Sequence, residues 1–306
     1  MKTEVFHFTS HAGMEMPAIL WLPEEAPRLV LQLTHGMTEY TECYQSLAEY
    51  LTPLGIAVAG FDLRGHGNHG GNQAVASFGE GGWDAAIEDM QCFYLLLRER
   101  FPGCGHYLHG FSLGSFLLRE YLGKYPGGID GALIIGTGQQ PRWLLRMMQG
   151  IVKGQIRKVG FDGYSPLVRK LSFGVYNQKF QPTRTEKDWL CSDDAQLAQF
   201  QASPLARENF SAGLFWQMLG AMERQSAKDA CRNWDKDMPI LLLYGEMDPV
   251  GNFGKGVQAF YDQMIAAGMK HVQFQQFLNA RHQILREEAC GAADQARHAI
   301  ADWLLG

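Results

Sequence analysis

Apolar side chains follow two rhythms along the first third of this 306-residue chain. The opening residues, "MKTEVFHFTSHAGMEM", alternate as an edge strand does, and Val5 to Phe8 and Ala18 to Leu22 are expected to form a hairpin. "RLVLQLTHG", Arg28 to Gly36, is a continuous apolar run of strand length, which marks a strand buried on both faces. "YQSLAEYLTPLG", Tyr44 to Gly55, spaces its apolar residues as a helix does and ends on glycine. "IAVAGFD" reads as the next strand, followed by a helix from about Trp83 to Phe101, a strand running up to Ser112, a helix after it, and the apolar "GALIIG", Gly131 to Gly136. Strands that alternate with helices in this way form a parallel sheet with helices on both faces.

The rhythm stops after residue 137. From 138 to 237 the sequence is mainly helical or irregular and dense in large apolar residues, among them Trp143, Met147, Met148, Phe173, Tyr176, Trp189, Phe210, Phe215, Trp216, Met218 and Met222. The sheet pattern then resumes with "PILLLYGEMD", Pro239 to Asp248, a helix near Gln258 to Ala267, "HVQFQQF", His271 to Phe277, and a closing helix through Trp303. The expected organisation is a core from residues 1–137 and 238–306, interrupted by an inserted, mainly helical cap over residues 138–237.

The candidate chemistry begins in "YLHGFSLGSFLLREYL", where Ser112 has glycine two residues away on each side, Gly110 and Gly114. A chain that turns sharply from strand to helix has no room for a Cβ at those two places, and the turn lifts its central side chain out of the sheet. Ser112 is therefore a candidate nucleophile. A serine hydroxyl needs a base within hydrogen-bond reach, and the base needs an acid to fix its tautomer; in doubly wound hydrolases the order along the chain is serine, acid, histidine. Asp248, in "GEMDPVG" directly past an apolar run, is the preferred acid, while spacing alone leaves Glu246 open. Of ten histidines only His271, His282 and His298 follow it. His271 opens a strand and His298 lies within a helix, whereas His282, in "LNARHQILREE", stands just beyond a strand and is taken as the base. The developing oxyanion needs two amide donors, assigned to Leu113 after the nucleophile and to Met37 in "LTHGMTEY". The glycine-rich "RGHGNHGG", Arg64 to Gly71, is read as a structural loop close by.

Composition narrows the partners. A net charge of −5 and a pI near 6.1 exclude a general nucleic-acid binder, which needs a basic surface. No apolar stretch is long enough for a signal peptide or a membrane span, and the six cysteines are scattered with no metal-ligand spacing. The expectation is a cytoplasmic protein with reduced cysteines, no cofactor and no obligate protein partner.

These residues resemble the α/β-hydrolases of the monoacylglycerol lipase and bacterial lysophospholipase group, also called serine aminopeptidase-like. "THGMTEYTECYQSLAEYLTPLGIAVAGFDLRGHG", "HGFSLGSFLLREYL", "NQKFQPTRTEKDWLCSDD", "LLYGEMDPVGNFGKGV" and "NARHQILREE" carry the resemblance over nearly the whole chain. It implies a triad of Ser112, Asp248 and His282 and an oxyanion hole from the amides of Met37 and Leu113. Two departures bear on the acyl pocket: Phe111 stands where a histidine is usual, and the cap reads "ASPLAREN" where relatives tend to show an Asp-Pro-Leu-Cys run. The implied activity is hydrolysis of acyl esters of monoacylglycerol or lysophospholipid type under an aromatic, methionine-rich cap. An aminopeptidase is the alternative, with Glu186, Asp193, Asp194, Glu208 and Glu223 as carboxylates available to hold an amino terminus, and a noncatalytic ligand-binding protein is a second. In "RWLLRMMQGIVKGQIRKVG", apolar residues at 144, 147, 148, 151 and 152 share a helical face, and Arg142, Arg146, Lys153, Arg157 and Lys158 have no acidic neighbour in the segment. That face is expected to pack on the core, or else to rest weakly on an anionic lipid surface.

Overall fold

The computed structural model describes all 306 residues. Ten strands and ten α-helices are numbered in chain order. Eight strands make one sheet: β1 (Lys2–Thr9), β2 (Glu15–Leu22), β3 (Leu29–Thr34), β4 (Ile56–Phe61), β6 (Gly105–Phe111), β7 (Gly131–Ile135), β9 (Ile240–Gly245) and β10 (Val272–Phe277). Their order across the sheet is β1-β2-β4-β3-β6-β7-β9-β10. β1 and β2 pair antiparallel in register from Lys2↔Leu22 to Thr9↔Glu15, β2 runs antiparallel to β4, and all other neighbours are parallel. The hairpin strands are longer than the apolar pattern because ladder bonds continue to the turn, where the Ser10 amide donates to the Met14 carbonyl at 2.8 Å.

The helices α1 (Gln45–Leu51) and α10 (Ala292–Leu305) cover one face of the sheet; α2 (Gly82–Arg100), α3 (Leu113–Lys124) and α9 (Lys255–Ala266) cover the other. β3 shows why its sequence is a continuous apolar run. Leu29, Leu31 and Leu33 bury against the α1 and α10 side, Val30 faces the other core, and Gln32 on that same side is satisfied by donating to the Met90 carbonyl at 3.1 Å. α1 is shorter than its pattern because Pro53 and Gly55, the latter at φ +81°, tighten residues 52–54 into a 3₁₀ turn.

Between β7 and β9 lie α4 (Arg142–Val159), α5 (Pro166–Leu171), α6 (Phe173–Tyr176), α7 (Asp194–Ala202), the two-residue strand β8 (Asn209–Phe210) and α8 (Ala212–Gln225). β8 pairs in parallel with β5 (Val75–Ala76), which stitches this segment to a loop of the sheet domain. α8 packs on both α3 and α4. The α4 pattern needs correction: Leu145 and Val152 are the buried residues, two turns apart against α8, while Met147 and Ile151 are exposed by 50% and 37% and Trp143 by 67%. The expected face over residues 144, 147, 148, 151 and 152 is therefore split. Val152 turns inward and Met148 packs half-buried against the core, while a stripe spaced i, i+4, i+8 points to solvent. Gly150 and Gly154, which weaken an isolated helix, lie within α4 without breaking it. No helix is long and apolar enough to cross a membrane.

Of the five buried histidines, three are shifted furthest from the ordinary value: His35, His66 and His109. His35 accepts from the Leu63 amide at Nε2 (2.9 Å) and, with its proton on Nδ1, donates to the Gly36 carbonyl at 2.8 Å. His66 lies 2.8 Å from the Arg64 carbonyl, and His109 has neither ring nitrogen bonded. Burial pushes His35 down to about 4 and His66 and His109 down to about 3. Above 6.5, the ordinary value, all three are neutral folded or unfolded; below it the unfolded chain takes up protons that the folded chain refuses, so stability falls with pH until about 3 to 4. Each group contributes a slope of up to about 1.4 kcal/mol per pH unit inside that window. Urea midpoints measured from about pH 7.5 to about pH 5 are expected to decline steadily, and His109→Leu to flatten the decline; a midpoint independent of pH contradicts this account.

Candidate active site

β6 ends at Phe111 and α3 begins at Leu113, leaving Ser112 alone at the turn with φ +50° and ψ −114°. A positive φ is strained for serine. It is held there by tight packing on each side: a Cβ on Gly110 would lie 2.5 Å from the Gly114 carbonyl oxygen, and one on Gly114 would lie 2.2 Å from that of Thr34. The Ser112 amide donates to the Ile135 carbonyl at 3.0 Å, and its own carbonyl accepts from the Ser115 amide at 2.9 Å.

Asp248 follows β9 and is fully buried; His282 follows β10 and is nearly so. His282 Nε2 lies 2.8 Å from Ser112 Oγ, and His282 Nδ1 lies 2.8 Å from Asp248 Oδ2. The other Asp248 oxygen accepts from the Val250 amide at 2.8 Å. A carboxylate can only accept, so Nδ1 carries the proton and Nε2 presents a lone pair to the serine hydroxyl. Of the three late histidines only His282 is brought to Ser112: His271 immediately precedes β10, and His298 on α10 lies 2.8 Å from the Asp294 carbonyl. Glu246 turns instead to the Asn279 amide at 3.0 Å.

Phe111 packs on the His282 ring at 4.8 Å between centroids, and Trp189 does so at 5.2 Å. The departure at position 111 thus puts an apolar ring on the imidazole. The loop after β3 carries Met37 and then Thr38 at φ +66°. Neither the Met37 amide nor the Leu113 amide donates to an acceptor within the chain.

Glu39 and Gln283 form a buried link that the sequence reading missed. Glu39 Oε2 accepts from the Gly36 amide (2.8 Å) and the Tyr44 hydroxyl (3.1 Å), while Gln283 Nε2 donates to Oε1 at 2.5 Å. One carboxylate therefore ties the loop bearing Met37 to the residue after His282. The only sequence signal was a glutamate three residues beyond the glycine that ends a buried strand. The segment 138–237 is bonded to the same loops: the Gln283 amide donates to the Leu190 carbonyl (2.7 Å) and the Arg207 amide, from "ASPLAREN", to the Thr38 carbonyl (3.0 Å). "RGHGNHGG" is held structurally, Arg64 pairing with the buried Asp89 at 2.5 Å and the Asn68 amide donating to Asp62 at 2.7 Å.

Ser112, His282 and Met37 line a cavity of about 480 Å³. Phe173, Trp189 and Phe200 supply its aromatic wall, but charged residues share the lining, so it is less apolar than the composition of the segment predicts. Phe210, Phe215, Met218 and Met222 pack into the core instead, and Trp216 lines a separate cleft.

A family model described as Serine aminopeptidase, S33 (Hydrolase_4) matches residues 25–289. The monoacylglycerol lipase of Mycolicibacterium smegmatis is 21% identical over 248 residues, 79% of this chain and 78% of that protein. The crystal structure of a thermostable carboxyl esterase from Bacillus coagulans superposes with a TM-score of 0.87 at 21% identity, covering 100% of this chain and 99% of that one. The monoglyceride lipase of Saccharomyces cerevisiae superposes with a TM-score of 0.73 at 18% identity, covering 99% and 95%. With an eight-stranded, mostly parallel sheet, helices on both faces and a family match over most of its length, the chain belongs to the serine aminopeptidase S33 family of α/β-hydrolases.

Proposed function

We propose that this chain is a serine hydrolase that cleaves carboxylic esters of acyl chains, of monoacylglycerol or lysophospholipid type. The observation that carries the reading is the continuous hydrogen-bonded line from Asp248 through His282 to Ser112, 2.8 Å at each link. In this mechanism Ser112 Oγ attacks the acyl carbonyl as His282 Nε2 takes its proton, and Asp248 stabilises the imidazolium. The amides of Met37 and Leu113 receive the oxyanion. His282 returns the proton to the departing alcohol, and water then hydrolyses the acyl-enzyme by the same route. Residues 138–237 act as the cap of a core formed by residues 1–137 and 238–306, and the six unpaired cysteines suit a reducing cytoplasm.

The peptidase alternative needs a free carboxylate in the cavity. Asp193 caps α7, Asp194 pairs with Arg184, Glu223 pairs with Arg142 and Arg146, and Glu186 pairs with Arg169. Glu208 is left. Hydrolysis of p-nitrophenyl esters of rising chain length, with alanine p-nitroanilide alongside, tests the choice. Serine-dependent cleavage of the esters with a chain-length optimum is expected; preference for the anilide overturns the ester reading.

The outward stripe of Trp143, Met147 and Ile151 on α4 runs beside Lys153, Arg157 and Lys158, none of which is ion-paired. Apolar side chains flanked by cations match the boundary of an anionic bilayer. Sedimentation with anionic vesicles is expected to show partition about tenfold weaker for Trp143→Ala and weaker still in high salt. Equal sedimentation of variant and parent rules the contact out.

A further inference from the structure

The cavity that holds Ser112 is lined by three cations, Arg169 and Lys170 on α5 and Lys187, two residues before Trp189; Lys170 is exposed to solvent, whereas the other two are partly buried. Arg169 is engaged: Nη1 donates to Asn209 Oδ1 at 3.0 Å and Nη2 to Glu186 Oε2 at 2.6 Å. The Lys187 ammonium is not. It is half buried, lies 5.3 Å from the centre of the Phe200 ring, and has no hydrogen-bond acceptor or ion-pair partner in the chain. The carboxylates of the cavity leave it so. Glu39 is filled by Gly36, Tyr44 and Gln283; Glu186, 79% exposed, holds Arg169; Glu208 is exposed and makes no ion pair. Burial first and the neighbouring Arg169 second lower the Lys187 pKa, and the opposing pull of Glu208 and Glu186, neither of which bonds to the ammonium, does not make up the difference.

An ammonium carries three donors, and taking it partly out of water without acceptors is unfavourable unless a ligand supplies them. An ammonium binds phosphate as a point charge with three rotatable donors, and the guanidinium beside it adds positive charge although its Nη1 and Nη2 are already engaged. A neutral glycerol head makes no use of the charge.

We infer that Lys187 is the specificity-determining residue of the site and receives the phosphate of a phosphodiester head group, so that single-chain acyl glycerophosphoesters are preferred over neutral monoacylglycerols. This rests on the ester hydrolase reading for its substrate and on the cavity alone for its binding. The position of Lys187 in the lining of the Ser112 cavity lets one molecule place its phosphate on the lysine and its acyl ester at the serine.

The test compares 1-octanoyl lysophosphatidylcholine with 1-octanoylglycerol, both kept monomeric, on the intact chain, Lys187→Gln and Lys187→Arg. The ratio of kcat/KM for the phospholipid over the glyceride is expected to fall about tenfold in Lys187→Gln, carried by KM, and to recover in Lys187→Arg. A ratio unchanged in Lys187→Gln, including equal loss on both substrates, overturns the inference. Calorimetric titration with octylphosphocholine, which has no carboxylic ester, reads the same site without turnover: affinity is expected to drop about tenfold in Lys187→Gln. An undiminished affinity overturns the inference even if the chain cleaves no ester, and cleavage of neither ester with a Lys187-dependent affinity overturns the hydrolase reading alone. Inorganic phosphate in the same titration separates the sources; binding as tight as that of octylphosphocholine would make this a free-phosphate site and overturn the lipid assignment.

Discussion

Ser112→Ala is expected to lower turnover of p-nitrophenyl butyrate by about four to six orders of magnitude while leaving the fold intact. The loss is this large because the proposed hydroxyl, imidazole and carboxylate act as one unit, and without Oγ the 2.8 Å bond to His282 Nε2 has no proton to transfer. The fold is expected to survive because Ser112 Oγ bonds only to His282, while the turn itself is held by the Ser112 amide on the Ile135 carbonyl and by the Ser112 carbonyl under α3. Thermal unfolding of the alanine variant should stay within about 2 °C of the parent. Ser112→Gly extends the argument: at φ +50° glycine relieves strain of about 1 kcal/mol, so this variant is expected to be as inactive as alanine but more stable. Activity retained in either variant removes Ser112 from the mechanism.

The sheet domain is legible because its strands are buried on both faces, which writes each as an unbroken apolar run whatever the rest of the chain does. β4, β7 and β9 are all of this kind, every residue buried. The turn at Ser112 is legible for a local reason too, since the two glycines answer to clashes within a few residues or with one adjacent strand end. α4 fails for the opposite reason. Its sequence offers apolar residues over a wide arc, and which of them turn inward is decided by α8, a helix more than fifty residues away in the chain. β5 and β8 are two residues each and have no period to detect. Glu39 and Gln283 were invisible as a pair because 244 residues separate them, and a glutamate in a loop is ordinarily solvated. Arg207 is a further case: its amide bond to Thr38 and side-chain bond to the Gly67 carbonyl depend on how the inserted segment settles on the core.

The acid that spacing alone left open is separated by a pair of substitutions. Asp248→Asn is expected to reduce kcat about ten-thousandfold, and Glu246→Gln by no more than a few-fold. Asp248 is fully buried with one oxygen on the Val250 amide and the other on His282 Nδ1, so the imidazole can carry its proton only on the nitrogen that faces the carboxylate. An asparagine keeps the shape but can turn its amide N–H toward Nδ1, which places the imidazole proton on Nε2, where it meets Ser112 and leaves no lone pair to receive the serine proton. The packing of Phe111 and Trp189 on the ring keeps it from escaping this wrong tautomer by rotating. Glu246 is half exposed and its bond is to the Asn279 amide, so its loss loosens a turn near His282 without changing which nitrogen holds the proton. Because the substituted amide can still accept from Val250, Asp248→Asn is expected to fold and to titrate with denaturant much as the parent does, so its inactivity can be read as chemistry. Equal losses in the two variants would return the choice of acid to the open state in which the sequence leaves it, and a larger loss in Glu246→Gln would transfer the role to Glu246.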